Sequence, residues 1–188
     1  MALACLAMVS AQAVAARLAV VLSDDSAPYQ EVYQVIRAHL DDTPHEVGRV
    51  YAEGLTAASL NDMRLAIAVG VRAAESLAAL QNRPPVLAVL VPRSWYVKTG
   101  RARLSDGGRR SVSAIYLDQP FERQVRLIRQ AFPEVRRVGV LSSTEQDAML
   151  DELGEILRAH RLSLVRQTVT ADERLIGPLE NVLSEADL

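Results

Sequence analysis

Cysteine, lysine and aromatic residues are scarce in this sequence. Among its 188 residues, Cys5 is the only cysteine, Lys98 is the only lysine, and aromatic residues make up 4%. A single cysteine excludes an internal disulfide. The formal net charge of −2 gives no support for general binding to nucleic acid or to a membrane surface. After residue 16, no run approaches the ~20 apolar residues that span a bilayer, so we expect a soluble product after export.

The first sixteen residues, MALACLAMVSAQAVAA, carry no charge. They are small and apolar, and they end in two overlapping small-x-small patterns of the kind that signal peptidase cleaves. The basic segment that usually opens a signal peptide is missing, and a start upstream of Met1 would supply it. We expect a signal peptide over residues 1–16, cleaved near Ala15 or Ala16, with export to the periplasm and loss of Cys5. The alternative is a buried N-terminal helix.

From Arg17 onward, strand-like and helix-like segments alternate. Short apolar runs such as LAIAVG (65–70) and VLAVLV (86–91) are typical of strands buried on both faces of a parallel sheet. Strands are predicted over 17–22, 46–51, 65–70, 86–91, 112–117, 136–141 and 162–169, and amphipathic helices over 28–41, 120–132 and 146–160. This alternation predicts an α/β fold with mostly parallel sheets.

The apolar positions of the helices predict which faces are buried. In the first helix the predicted buried positions are Val32, Val35, Ile36 and Leu40, and in the second they are Phe121, Val125, Ile128 and Phe132. Residues 98–111, KTGRARLSDGGRRS, are predicted to form a solvated loop. No aromatic residue is interleaved among its arginines, which disfavours contact with nucleic acid.

One sequence pattern occurs twice. RLAVVLSDD (17–25) and RRVGVLSST (136–144) each read as a strand that stops at serine, and each is followed by a helix that ends in Arg-Ala-His. We interpret the two copies as the first strands of two α/β lobes, over residues 17–116 and 117–188. The second range has room for only two strands, so we expect an incomplete second lobe with further strands after Leu188.

The motifs of common α/β enzymes are missing from the sequence. It contains no G-x-G-x-x-G fingerprint, no G-x-x-x-x-G-K-[ST] phosphate loop and no G-x-S-x-G nucleophile elbow. Asp24 and Asp25 follow the first strand as in the Mg²⁺ pocket of phospho-receiver domains, but that pocket also needs an Asp after the third strand, where Gly70 stands. The three histidines are isolated. We therefore expect no enzyme, no metal and no cofactor.

Polar residues after the predicted strands are the best candidates for binding, because ligands of doubly wound sheets bind at the carboxyl ends of the strands. Gly70 permits close approach of backbone. The segment VPRSWYV (91–97) offers an arginine and aromatic rings for stacking on a flat ligand, although Trp95 or Tyr96 could instead pack the lobe edge. Residues 142–145, SSTE, have the capping-box form, and Ser142 either receives a ligand anion or caps its own helix.

Three longer segments resemble one family of binding proteins. LAIAVGVRAAESLAALQNRPPVLAVLV has its order of strand, glycine turn, Ala-rich helix, proline and strand. SVSAIYLDQPFERQVRLIRQAFPEVRRVGVLSS is similar to its crossover strand and helix and to the strand that opens lobe two, and LSLVRQTVTADERLIGPLENVLSEADL fits the next strand and helix. The family is that of ABC transporter substrate-binding proteins with the type I periplasmic-binding-protein fold, in the branch that includes aromatic amino-acid binders. Two turns, SVSAIYL and SDDSAPY, depart from the family pattern, and the solute is not predicted.

The resemblance implies two Rossmann-like lobes that close on a small solute by hinge motion and deliver it to an ABC permease in the inner membrane. By position, the residues expected to bind the solute are Ser23, Gly70, Val71, Arg72, Arg93, Ser94, Tyr116, Ser142, Ser143 and Thr144. We expect the complete protein to be a monomer. The alternatives are a cytoplasmic α/β enzyme and a ligand-sensing regulatory domain, either of which would retain the first sixteen residues.

Overall fold

The computed structural model describes residues 15–143, 147–170 and 175–188. Most of the predicted signal peptide, and Thr144 of the predicted binding residues, lie outside this range. The chain divides into two compact units between Asp118 and Gln119, whereas the predicted lobe boundary falls at 116/117. None of the helices that the structure describes is both long and apolar enough to cross a bilayer.

The first unit contains a five-stranded parallel sheet. Its strands have the order β2-β1-β3-β4-β5. The elements along the chain are β1 (Arg17–Leu22), α1 (Ala27–Leu40), β2 (Glu46–Tyr51), a 3₁₀ turn (Ala57–Leu60), β3 (Leu65–Val69), α2 (Val71–Ala78), β4 (Val86–Val91), α3 (Arg93–Trp95), α4 (Arg101–Ser105) and β5 (Val112–Tyr116). The predicted α/β fold with a parallel sheet is confirmed.

Both faces of the central strands β1, β3 and β4 are covered, which explains their continuous apolar runs. Alternate residues of β1 enter different cores: Ala19 and Val21 pack in the core that includes α2, whereas Val20 and Leu22 pack in the core that includes α1. All four are completely buried. A strand with helices on both sides needs apolar side chains at every position, because each face is withdrawn from water.

Residues 98–111 are not the loop that the sequence predicted. Helix α3 continues through a π-helical turn (Tyr96–Gly100) into α4, and only the residues after Ser105 form a turn. The prediction was wrong because Tyr96 and Leu104 are buried against the sheet, and this packing outweighs the low helix propensity of Gly100.

The second unit contains a two-stranded parallel sheet with helices packed on it. Its elements are α5 (Phe121–Ala131), β6 (Arg137–Ser143), α6 (Asp147–Ala159), β7 (Ser163–Val169) and α7 (Ile176–Glu185). Its core joins Val125 of α5, Val138 of β6, and Leu150, Leu153 and Leu157 of α6.

Two predicted core positions are exposed. Phe132 lies just past the end of α5 and is 48% exposed, because the chain leaves the helix there with a non-helical backbone. Val35 of α1 is 52% exposed because it lies away from the face that Tyr33 and Ile36 turn toward the sheet. The other predicted apolar positions of these two helices are buried or partly buried.

The last two residues lie along β6. The backbone N–H of Gly139 donates to the carbonyl of Leu188 over 2.7 Å, and the N–H of Leu188 donates to the carbonyl of Arg137 over 3.3 Å. The Asp187 carboxylate accepts bonds from the backbone N–H groups of Arg136 and Arg137 and from the Arg137 side chain. The Arg137 side chain first, and these backbone donors next, lower the pKa of Asp187 to about 2.

Candidate functional site

The carboxyl end of the five-stranded sheet carries seven of the predicted binding residues. Because the strands are parallel neighbours, the residues that follow them lie along one edge. This edge carries Ser23 after β1; Gly70, Val71 and Arg72 at the start of α2; Arg93 and Ser94 after β4; and Tyr116 at the end of β5. Their contact with a ligand stays a prediction.

The hydroxyl of Ser23 makes hydrogen bonds within the first unit. Its Oγ donates to the carbonyl of Val69 over 2.8 Å and accepts from the backbone N–H of Ala73 over 3.1 Å. Gly70 is the N-cap of α2 and has no side chain to offer, so Ser23 of the neighbouring strand satisfies one of the free N–H groups at the start of that helix. With 3% of Ser23 exposed, the hydroxyl serves α2 before any ligand.

Gly70 is required by its backbone and by its neighbours. Its φ of +88° and ψ of 168° fall in a region that residues with a Cβ rarely adopt. A Cβ there would lie 2.5 Å from Oγ of Ser23 and 2.9 Å from the hydroxyl of Tyr29. The predicted close approach is therefore real, but the groups that approach Gly70 are Ser23 and Tyr29 of the same unit.

A cavity of about 390 Å³ opens at this edge, beyond the ends of β1 and β2. It is lined by Ser23, Asp24, Asp25, Tyr51, Glu53 and Arg72. The side-chain hydroxyl and the backbone N–H of Ser26 lower the pKa of Asp24, so this carboxylate stays charged. Three carboxylates and one guanidinium at one opening suit a small polar ligand.

Tyr51 and Glu53 were missed because sequence reasoning did not predict that β2 pairs with β1. The pairing places the residues after Tyr51 beside those after Leu22. The signal was present in the alternation itself: a second strand that follows a βα unit often lies next to the first. Among the described residues, no three histidine, cysteine or acidic side chains are grouped so that they could hold a metal ion.

The aromatic residues after β4 pack inside the first unit. The ring of Tyr96 is buried, and its centroid lies 5.7 Å from that of Tyr116 at an interplanar angle of 58°. Burial first, and Tyr116 next, raise the pKa of Tyr96. A Cβ on Gly100 would collide with the ring of Trp95. Of the two interpretations of Trp95 and Tyr96, packing at the edge is the one that the structure supports.

Arg93 and Ser94 are exposed at the start of α3. The backbone N–H of Arg93 donates to the Asp118 carboxylate over 2.6 Å, which joins the end of β4 to the segment after β5. Tyr116 is 39% exposed. These three residues remain accessible at the carboxyl edge, but they do not line the cavity that Arg72 lines.

In the second unit, the expectation that Ser142 caps a helix is wrong. Ser142 and Ser143 belong to β6, where they pair with Thr168 and Val169 of β7. Pairing with β7 extends the strand past the apolar run to Ser143, so Ser142 lies within a strand. Ser142 is 5% exposed, and its Oγ has no hydrogen-bond partner in the part of the chain that the structure describes. Ser143 is exposed.

Solved structures that are similar to this chain include the following two. One is the ABC domain from Streptococcus pneumonia in complex with L-Trp, with 18% identity, a TM-score of 0.52, and coverage of 93% of this chain and 64% of the other. The second is the ligand-free, open structure of a substrate binding protein with adhesive properties from Clostridium difficile, with 12% identity, a TM-score of 0.64, and coverage of 92% and 63%. The described part of the chain thus shares its α/β fold with a solved substrate-binding protein.

At these identities the likeness concerns the fold. The chain spans less than two thirds of the length of either similar structure. Neither a family model nor a curated protein matches the sequence.

Proposed function

We propose that this chain belongs to the solute-binding component of an ABC importer, which is exported to the periplasm, binds a small molecule and delivers it to a membrane permease. The cavity at the carboxyl edge of the first unit, in a fold shared with substrate-binding proteins, is the observation that carries the proposal. Capture by hinge closure of two lobes, without catalysis, is part of it.

The lining of the cavity favours a ligand with a cationic group. Asp24, Asp25 and Glu53 supply three carboxylates, and Arg72 is the one guanidinium beside them. An ammonium group facing the carboxylates and an oxygen acceptor facing Arg72 would satisfy both kinds of charge through charge-assisted hydrogen bonds. Arg72 is exposed at the first turn of α2, where it can reach a ligand without disturbing the core.

Ligand binding is tested by a thermal-shift screen of the full chain against amino acids, nucleobases, sugars and chelated metals, followed by calorimetry of each compound that stabilises it. Arg72→Gln and Glu53→Gln should each weaken binding of such a compound by about tenfold or more, as expected for loss of a hydrogen bond to a charged group. Arg64→Gln is the matched control, because Arg64 is exposed just before β3, at the other end of the sheet. A well-folded sample that binds none of these compounds contradicts the proposal.

Export has its own test. N-terminal sequencing of the protein recovered from the periplasmic fraction should find a chain that begins at Ala16 or Arg17. Recovery of the intact first sixteen residues in the cytoplasm would favour the enzyme or regulatory alternative instead.

A further inference from the structure

A second cavity lies at the opposite, amino end of the same sheet. It has a volume of about 410 Å³, and its charged lining consists of Arg83, Arg103, Arg109, Arg110 and Asp106. Arg83 comes just before β4 and Arg110 just before β5, so the parallel pairing of these strands brings the two arginines together. The cavity is therefore separate from the candidate solute site at the carboxyl end.

Arg83 is a buried cation without a carboxylate partner. It is 7% exposed, and its guanidinium donates to the backbone carbonyls of Leu80, over 2.7 Å, and Leu104, over 2.7 Å. Within the described residues no carboxylate oxygen lies within 4 Å of it, and its Nε has no hydrogen-bond acceptor. Burial first, and the neighbouring Arg110 next, lower the pKa of Arg83. A bound counter-ion would lower the free-energy cost of burying this charge.

The guanidinium of Arg110 also lacks a full set of partners, although it has a carboxylate nearby. Its terminal nitrogens donate to the backbone carbonyls of Arg83 and Gln81. Its Nε lies 3.7 Å from a carboxylate oxygen of Asp106, which is close enough for an ion pair and too far for a hydrogen bond. That Nε is also buried without an acceptor in the described part of the chain. Of these two guanidiniums, Arg110 is the one within ion-pair distance of Asp106, which acts on Arg83 from farther away and offsets part of the lowering of its pKa.

Arg103 and Arg109 complete the lining from its exposed side. Arg103 faces Glu75 at 3.6 Å, a solvent-exposed ion pair of little strength. Arg109 follows a turn in which Asp106, Gly107 and Gly108 all have positive φ, a conformation that the two glycines adopt without strain. Four arginines against one acidic residue leave the lining with a net charge of three positive.

We propose that this cavity binds a polyvalent oxyanion of the phosphate class. A planar guanidinium can donate two parallel hydrogen bonds to two oxygens of one phosphate group. The backbone carbonyls already hold Arg83 and Arg110 in place, so little side-chain freedom is lost on binding. The oxyanion supplies the missing counter-charge to the guanidiniums that line the cavity. A single monovalent anion would leave two positive charges uncompensated.

Calorimetric titration of the full chain with pyrophosphate and with inorganic phosphate, against sodium chloride at matched ionic strength, tests the proposal. Pyrophosphate should bind more tightly than phosphate. The double variant Arg103→Gln, Arg109→Gln should weaken pyrophosphate binding by about tenfold or more, since both side chains are exposed and their loss spares the core. The control double variant Arg64→Gln, Arg101→Gln removes the same charge from exposed positions outside the cavity.

Co-sedimentation with phosphatidylcholine vesicles, with and without phosphatidic acid, distinguishes a lipid headgroup from a free phosphate as the source of the oxyanion. Binding to either source that the cavity variant weakens and the control variant spares supports the site. Absence of binding to both, or equal loss in the two double variants, overturns it. The proposal does not depend on solute uptake, because it concerns residues at the other end of the sheet.

Discussion

Strands β1 and β6 are the first strands of the two units and both lead through Val-Leu-Ser, yet they are buried to different depths. β1 lies between β2 and β3, and its Val20, Val21 and Leu22 are completely inaccessible. β6 pairs with β7, and its Val140 and Leu141 are only partly buried. The shared pattern specifies a strand in both places, whereas depth depends on how many strands and helices surround it.

The serine at the end of each strand shows the same difference in hydrogen bonding. Ser23 uses its hydroxyl to join β3 and the first turn of α2. Ser142, also buried, has no partner for its hydroxyl among the described residues. One motif therefore has a defined structural role in the first unit, and no such role is visible in the second.

The largest effect is expected at Gly70. Gly70→Ala should destabilise the first unit by about 3 kcal/mol or more, because it combines a disfavoured backbone with a clash against Ser23 and Tyr29. Urea unfolding followed by circular dichroism compares the variants in both units, and the fluorescence of Trp95, the only tryptophan, reports on the first unit. Gly177→Ala in α7 is the control: a Cβ added there would meet no heavy atom within 4 Å, so the change should be neutral or slightly stabilising. Equal effects would contradict the packing described for Gly70.

The two serines should differ by a smaller amount. Ser23→Ala should cost about 1–2 kcal/mol, because it removes the acceptor at the start of α2. Ser142→Ala should be within about 0.5 kcal/mol of neutral or stabilising, since it removes a buried hydroxyl with no partner among the described residues. Urea unfolding by circular dichroism compares the two variants. A cost at Ser142 as large as that at Ser23 would mean that the second serine also has a structural partner.

The smallest effect is expected at Asp187, and it depends on pH. Its pKa of about 2 in the folded protein is below the ordinary 3.8, so its stabilising contribution is present above the ordinary pKa and is lost as the pH falls from about 4 to about 2. Asp187→Asn should therefore lower the melting temperature at pH 7, and the difference from the unchanged protein should shrink as the pH falls from about 4 to about 2. Asp151→Asn, at an exposed position of α6, is the control. If the difference in melting temperature is as large at pH 2 as at pH 7, the effect comes from the shape of the side chain and not from its charge.

The strands were predictable because their cause is local. Residues 17–22, 46–51 and 86–91 form strands with the predicted bounds, and the first and last of these are short apolar runs. The helix through Leu104 was not predictable, because Tyr96 and Leu104 gain their stability from packing against the sheet. Phe132 has the spacing of a core residue but is exposed, because α5 has already ended at Ala131.

For the candidate site, the sequence by itself determined that polar residues follow the strands, because side-chain type and strand pattern are local properties. Only the tertiary structure decided what those residues do. Strand order placed Tyr51 and Glu53 beside Asp24 and Asp25, and the packing of β1 against α2 committed the Ser23 hydroxyl to the fold. Strand pairing likewise brought Arg83 and Arg110 together across 27 residues of sequence. The physical reason is that hydrogen bonds and charges act over a few ångströms, and which residues lie within that distance depends on the fold of the whole unit.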